Sequence, residues 1–438
     1  MKLESKKIKR IKADPYLLIP SILISFIGIV TLLSTTIDGS GQFGDISIVK
    51  KQVIFLLIGF IIYFLISLFD INLFKYIQII IPIYVLTLIL LVCVYLFGPV
   101  INNVQRWLVI GGVQLQPSEI AKVTVILTTA CIFSFKGKYN QWILFLVSFL
   151  AVLPIFLLVY FEPAGSMSLL ILLIWFLVAF TGLSDQLRNS IALLIAGLVA
   201  ISIFLVSFSG NWLYILIGVV GTIIGIFAFY FRDSWRIIVS VSFCIGVLLG
   251  LVSMFLYNDV LKDYQRKRIE AFLNPTQSTQ DIGFNVNQAR IAIGSGQIFG
   301  KGFGNGTQSK RDFLPEHQTD FIFASFAEEF GLVGSLFLLA LYGIIIIRIL
   351  MIAIGSGDTF SSMILVGIAM KILFEVFINI GTNLGVIPAT GIPLPLMSAG
   401  GTITIMTLLC LGIVQSIINR QDTYKSVNNI IDNYCIIT

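Results

Sequence analysis

Charge is scarce in this chain. Asp, Glu, Lys and Arg make up 11% of its 438 residues, where a soluble domain carries about a quarter. With 57% hydrophobic residues, that shortage excludes a soluble globular enzyme and leaves an all-α polytopic membrane protein. Histidine is scarcer still. The single one, His317, has no second ligand-type residue nearby and reads as a loop residue rather than a metal ligand. Cysteine is odd in number at five, and Cys93, Cys131, Cys244 and Cys410 fall inside apolar runs, so neither a disulfide framework nor a metal spacing is visible. The opening "MKLESKKIKRIKADPY" lacks a small-residue cleavage site after the first apolar run, so that run is expected to stay as a span. The net charge of +6 comes partly from this segment, which reads as a cytoplasmic flank and not as a nucleic-acid arm. The ending Cys435-Ile-Ile-Thr mimics a prenylation signal, but a chain held by many spans needs no lipid anchor.

A helix needs about 20 apolar residues to cross a bilayer. Twelve such runs are present, near 16–36, 52–69, 76–97, 119–135, 141–161, 165–182, 188–209, 211–231, 235–257, 321–347, 362–384 and 399–418. Drawing them as spans puts the N-terminus, Lys136/Lys138, Arg188, Arg232/Arg236, Arg348 and Arg420/Lys425 on one side. The positive-inside rule then makes both termini cytoplasmic. Lys50 and Lys51 fall on the other side. The loop 98–118 and the long segment 258–320 lie outside, within a single integral membrane domain covering 1–438.

At roughly sixty residues, the segment 258–320 is far longer than an ordinary connection, and loops of that size tend to be functional. Its basic cluster Arg266, Lys267 and Arg268, with Arg290, suits phosphate, which arginine grips with a fork of donors; interfacial anchoring is the alternative for any one of them. Ile291–Ile293 reads as a short apolar helix dipping toward the membrane. Glycines at 294, 296, 300, 302, 304 and 306 then forbid regular structure and let backbone approach a ligand. With Lys301, Lys310 and Arg311 they would line a groove for an anionic head group, or else form a solvated loop. A dinucleotide fold is excluded, because no strand precedes the glycines and no strand–helix alternation surrounds them.

Charges inside the apolar runs cost about 2.5–3.5 kcal/mol each at the centre of a bilayer and mark functional or internally paired positions. Glu119 and Lys122 share one face at i and i+3, behind Pro117 and Ser118 in the first turn; the spacing points to a functional pair, against an anchor at the helix mouth. Lys371 and Glu375, at i and i+4, read as neutralisation between packed helices. Glu328 and Glu329 lie two turns into the run after Asp320 and are expected to place at least one carboxylate in its cavity. Glu162, with Pro163 and Gly165, breaks the chain between two spans near the outer surface. For Asp320 two readings stand. Either Thr319 or Asp320 caps the helix that follows, worth about 1 kcal/mol, or Asp320 is a rim carboxylate acting as a base, whose ordinary pKa of about 3.9 burial would raise and nearby Arg and Lys would lower.

Five stretches, "QRWLVIGGVQLQPSEIAK", "YQRKRIEAFLNP", "QARIAIGSGQIFGKGFGNGTQ", "FLPEHQTDFIFASFAEEFGLVGS" and "GVIPATGIPLPLMSAGGTITIMTLLCLGIVQSI", occur in an order that resembles the SEDS family of RodA, FtsW and SpoVE. "PEHQTDFIF" and "TGIPLPLMS" look more like its RodA branch. The resemblance implies a peptidoglycan glycosyltransferase with a core of ten spans, polymerising lipid II on the outer face of the bacterial cytoplasmic membrane. It implies that Asp320 is the essential aspartate, and it places Arg106, Glu119, Lys122 and Gln288 on matching motif positions. Three stretches depart from the pattern: "EPAGSM" at 162–167 stands for "QPDLGT", "GFNVNQA" at 283–289 for "GYQxxQS", and "SAGGTI" at 398–403 for "SYGGSS".

The implied chemistry has Asp320 deprotonate a sugar 4-hydroxyl of the acceptor, which attacks C1 of the lipid-linked nascent glycan strand with inversion. Such a reaction needs positioning, one base and compensation of the leaving phosphate. Arg106, Lys122, Arg266, Arg268, Lys301 and Lys310 are candidates for the last role, with Glu119 and Gln288 binding substrate and a divalent cation, Mg or Mn, as a further source of charge. The implied partner is a class B penicillin-binding transpeptidase. A lipid II flippase and a non-catalytic scaffold are the rival readings.

Overall fold

A computed structural model describes residues 13–37, 44–100, 105–111, 113–162, 164–209, 212–231, 235–255, 282–308 and 316–435. In chain order the helices are α1 (Pro15–Thr35), α2 (Ser47–Ser67), α3 (Ile77–Phe97), α4 (Pro117–Phe133), α5 (Gln141–Phe161), α6 (Gly165–Gly182), α7 (Gln186–Ser209), α8 (Ile215–Phe231), α9 (Arg236–Phe255), α10 (Ile282–Ser295), α11 (Ile322–Ile354), α12 (Thr359–Asn383) and α13 (Gly401–Cys435). Each of the twelve expected runs is a helix. Among the described residues ten are long and apolar enough to cross a membrane; α4 has 17 residues, and the apolar part of α9 is Ile238–Met254. The architecture is all-α and multi-pass. Its one sheet among the described residues is a hairpin of β1 (Leu108–Ile110) and β2 (Val113–Leu115), with Leu108 opposite Leu115 and Ile110 opposite Val113.

The chain forms two compact units, residues 1–182 with 278–438, and residues 183–277. In the second, α7 packs against α8 and α9 around Ile195, Ala228, Trp235 and Val239. In the first, α2 lies along α13, α1 along α11, and α6 touches α4, α5 and α12. Ionic contacts gather at one end of this bundle. Asp14, the cap of α1, accepts from Tyr16 N–H at 2.9 Å and from Arg348 at 2.6 Å; Lys75 pairs with Asp358 at 2.8 Å and Arg420 with Asp70 at 3.1 Å.

The opposite end is organised by a break in α11. Gly331 has φ 65 and ψ −163, a conformation that excludes side chains and interrupts the helical ladder. Backbone groups freed there are taken up by the glycine loop after α10. Lys301 N–H donates to Glu328 O at 3.0 Å and Gly302 N–H to Glu329 O at 2.9 Å, while Gln297 O and Ile298 O accept from Leu332 and Val333 N–H at 2.9 and 3.1 Å. A β-carbon on Gly300, itself at φ 80, would lie 2.1 Å from Glu329 O. The glycines thus bring the loop against a helix. α10, longer than the three apolar residues expected, packs Ala289 and Ala292 on Phe321 and Ala324.

Glu328 and Glu329 complete this joint. The Glu328 carboxylate accepts from Lys301 Nζ at 2.6 Å, Thr307 N–H at 2.8 Å and Thr307 Oγ1 at 2.7 Å. Glu329 accepts from Ser34 Oγ, which itself accepts from Gly304 N–H at 3.0 Å. Both carboxylates therefore serve the loop, and the expectation that one shares the cavity of Asp320 is not met by these contacts.

Candidate active site

Asp320 lies near the end of a turn over residues 316–321 that leads into α11. Three successive carbonyls of that turn are captured. Asn379 and Asn383, one turn apart on α12, donate from Nδ2 to Asp320 O at 2.9 and 3.0 Å. Ser398 Oγ donates to Thr319 O at 2.6 Å, and Ala399 N–H to Gln318 O at 2.9 Å. Asparagines in an apolar helix cost free energy unless their amides find partners; here the partner is the backbone that carries the aspartate. The capping reading is not what the structure holds. Phe321 occupies the cap position, and Asn383 Oδ1 accepts from Ala324 N–H at 3.1 Å.

The half-buried Asp320 side chain faces a spot above Gly391. A β-carbon placed there, at φ 72, would lie 3.6 Å from Asp320 Oδ2 and 3.7 Å from Arg106 Nη1, so carboxylate and guanidinium converge on one point where glycine leaves room. Arg106 is carried by the segment before β1. Gln105 Nε2 donates to Gly98 O at 3.2 Å, and Thr402 Oγ1 ties the hairpin to α13 by accepting from Gln116 N–H and donating to Gln114 O, each at 3.1 Å. Arg106 also acts on Glu162, in the connection between α5 and α6. Glu162 is 1% exposed, and neither carboxyl oxygen meets a hydrogen-bond donor among the described residues. Burial pushes this carboxyl up to about 8, against the opposing pull of the Arg106 guanidinium.

Glu119 and Lys122 lie within the bundle, fully buried. Lys122 Nζ pairs with Glu119 at 2.7 Å and with Glu375, whose other oxygen pairs with Lys371 at 2.8 Å. Lys371 Nζ also donates to Thr407 Oγ1 at 3.4 Å. The two pairs visible in the sequence are one quartet, net neutral, joining α4 to α12 and touching α13. Gln288 is half-buried on α10, and Lys301 is held by Glu328. Arg266, Arg268 and Lys310 lie outside the described residues. Among the described residues no group of three or more His, Cys, Asp or Glu side chains could hold a metal ion.

Comparison with known proteins places this arrangement. The model of the FtsW–RodA–SpoVE family, described as cell cycle proteins, matches residues 15–212 and 214–423. The chain belongs to this family. It is similar to the peptidoglycan glycosyltransferase MrdB of Escherichia coli (strain K12), 38% identical over 78% of this chain and 79% of that one. A probable peptidoglycan glycosyltransferase FtsW of Bacillus subtilis is 30% identical over 93% and 91%. Among solved structures, a chain of a peptidoglycan synthase complex that coordinates polymerization and crosslinking matches with TM-score 0.63 and 24% identity, over 93% of this chain and 98% of that one.

Within this family member, sequence reasoning named Asp320 and Arg106 but left Glu162 off the site and missed Asn379, Asn383, Ser398 and Gly391. The asparagines had a signal: "NIGTN", two amides at helical spacing at the end of an apolar run. Gly391 had none, since its role comes from what it faces.

Proposed function

We propose that this protein is a RodA-like peptidoglycan glycosyltransferase that polymerises lipid II. The observation that carries the reading of the site is the convergence of Asp320 Oδ2 and Arg106 Nη1 above Gly391, on a backbone fixed by Asn379 and Asn383. Asp320 takes the proton of the acceptor's 4-hydroxyl. The oxygen forms a bond to C1 of the lipid-linked strand as the bond from C1 to the phosphate oxygen breaks, undecaprenyl pyrophosphate leaves with the electron pair, and Asp320 returns its proton to water. A carboxylate fixed before substrate arrives need not reorganise during the reaction, and Arg106 offsets charge growing on the leaving phosphate.

In this reading the active site faces outward from the bacterial cytoplasmic membrane and both termini are cytoplasmic. The charge-rich bundle end, with Arg348, Lys75 and Arg420, is then the cytoplasmic one, as the positive-inside rule requires. Lipid tails lie between spans, and a class B penicillin-binding transpeptidase is the partner. Burial of the whole quartet argues against its use as the polar lining of a flippase path. The test is purified protein with labelled lipid II, with and without the transpeptidase. Glycan strands are expected from the wild type and none from Asp320→Ala; translocation without polymer, or polymer undiminished in Asp320→Ala, refutes the proposal.

A further inference from the structure

Glu162 is a buried acid that the reaction above does not use. It sits where α5 ends, with no hydrogen-bond donor on either oxygen among the described residues, in the field of a guanidinium that also faces Asp320. A carboxylate buried next to an arginine ordinarily recruits several donors, because an ionised group without them is costly to keep from water. Among the described residues this one has recruited none. The neutral acid fits such a site and the anion does not.

Resting on the glycosyltransferase reading, we infer that Glu162 is a positioning residue that governs Arg106 through its own proton: neutral, it leaves the guanidinium charge to the pyrophosphate of the lipid-linked donor; ionised, it takes that charge for itself. Proton loss places a negative charge in the field of the Arg106 guanidinium, so the donor pyrophosphate meets a site one positive charge poorer. No bond in the substrate is made or broken by this residue. It acts on the reaction through Arg106.

The groups around Glu162 leave Arg106 as the charge that matters. α5 packs on α3, α4 and α6. Of these, α6 carries no titratable side chain, and α3 contributes the phenols of Tyr84 and Tyr95 and the thiol of Cys93. On α4, Lys122 pairs with both Glu119 and Glu375, and Cys131 is a thiol. On α5 itself Tyr160 is a phenol. Among the described residues Arg106 is the one charged group whose field acts on the acid.

An acid titrating at about 8 goes from roughly nine-tenths to one-tenth protonated between pH 7 and pH 9, so the inference predicts an alkaline loss of activity. The full-length protein is assayed for polymerisation of labelled lipid II from about pH 6 to 9.5, beside Glu162→Gln and Asp320→Ala. Wild-type kcat/KM is expected to fall about tenfold between pH 7 and pH 9, whereas in Glu162→Gln the same ratio stays within about twofold. Glu162→Met, neutral and of similar length, carries the same expectation where the Gln variant is not recovered folded. Polymer that depends on Asp320 but falls as steeply in the neutral variants as in the wild type, or a flat wild-type profile, overturns this inference alone. Absence of polymer from the wild type at every pH overturns the glycosyltransferase reading, and this inference with it.

Discussion

Gly300→Ala is expected to loosen the whole reactive end of the bundle. The new β-carbon would lie 2.1 Å from Glu329 O and 2.4 Å from Glu329 C, atoms of a packed helix backbone that cannot swing aside. Alanine in the left-handed region itself costs about 1–2 kcal/mol. The loop must also lift from α11, which releases some of the four backbone hydrogen bonds across the break at Gly331. Each buried group left unpaired costs about 1–3 kcal/mol, so the loss of one or two brings the total to roughly 2–8 kcal/mol. Gly343→Ala in the same helix is the control. Nothing lies within 4 Å of its added carbon, and a helical Gly→Ala change stabilises by about 0.5–1 kcal/mol. Thermal inactivation of the two purified variants should therefore shift in opposite directions from the wild type, with polymerisation lost early in Gly300→Ala. Equal midpoints for wild type and Gly300→Ala would refute the claim that this backbone joint is rigid.

Other changes test the remaining supports. Lys122→Met leaves Glu119 and Glu375 facing one lysine and should cost about 3–5 kcal/mol; adding Glu119→Gln restores a neutral Lys371–Glu375 pair and should recover much of the folded yield, as read by size-exclusion chromatography in detergent. Asn383→Ala removes a donor to Asp320 O and the acceptor of Ala324 N–H, about 1–3 kcal/mol of stability. It should lower kcat more than it raises KM for lipid II, because the base loses its fixed position; an unchanged kcat would show that this carbonyl contact does not place the carboxylate.

How much of this was legible in the sequence depended on the distance over which each feature is encoded. The spans were readable because about 20 consecutive apolar residues are a local signal, and each run lies largely within a helix, although α11 continues to Ile354 and α13 to Cys435, well past the ends of their runs. The halves of the quartet were readable as pairs one helical turn apart. Their union was not, because the contact between Lys122 and Glu375 depends on how α4 meets α12. Composition showed that the glycines from 294 to 306 must bring backbone near something, and left open what; the answer is the interrupted ladder of α11, hinted at only by Gly331 within "EEFGLVG". Asp320 was an even choice between cap and base in the sequence, and that Phe321 takes the cap position while Asn383 accepts from Ala324 N–H depends on how α12 meets the start of α11. Glu162 was visible as a chain break, but burial and an arginine from another segment are tertiary facts with no local trace.

The interruption at Gly331 makes the stretch from Ile322 to Phe330 a short pedestal with Asp320 at its top. Its stiffness is borrowed from the side, through α10 and the residues 297–302 bonded to its foot, and not from the long rod of α11 below. Twisting of that rod is absorbed at a point with no continuous helical ladder, while any shift of α10 is delivered to the carboxylate through a few backbone amides.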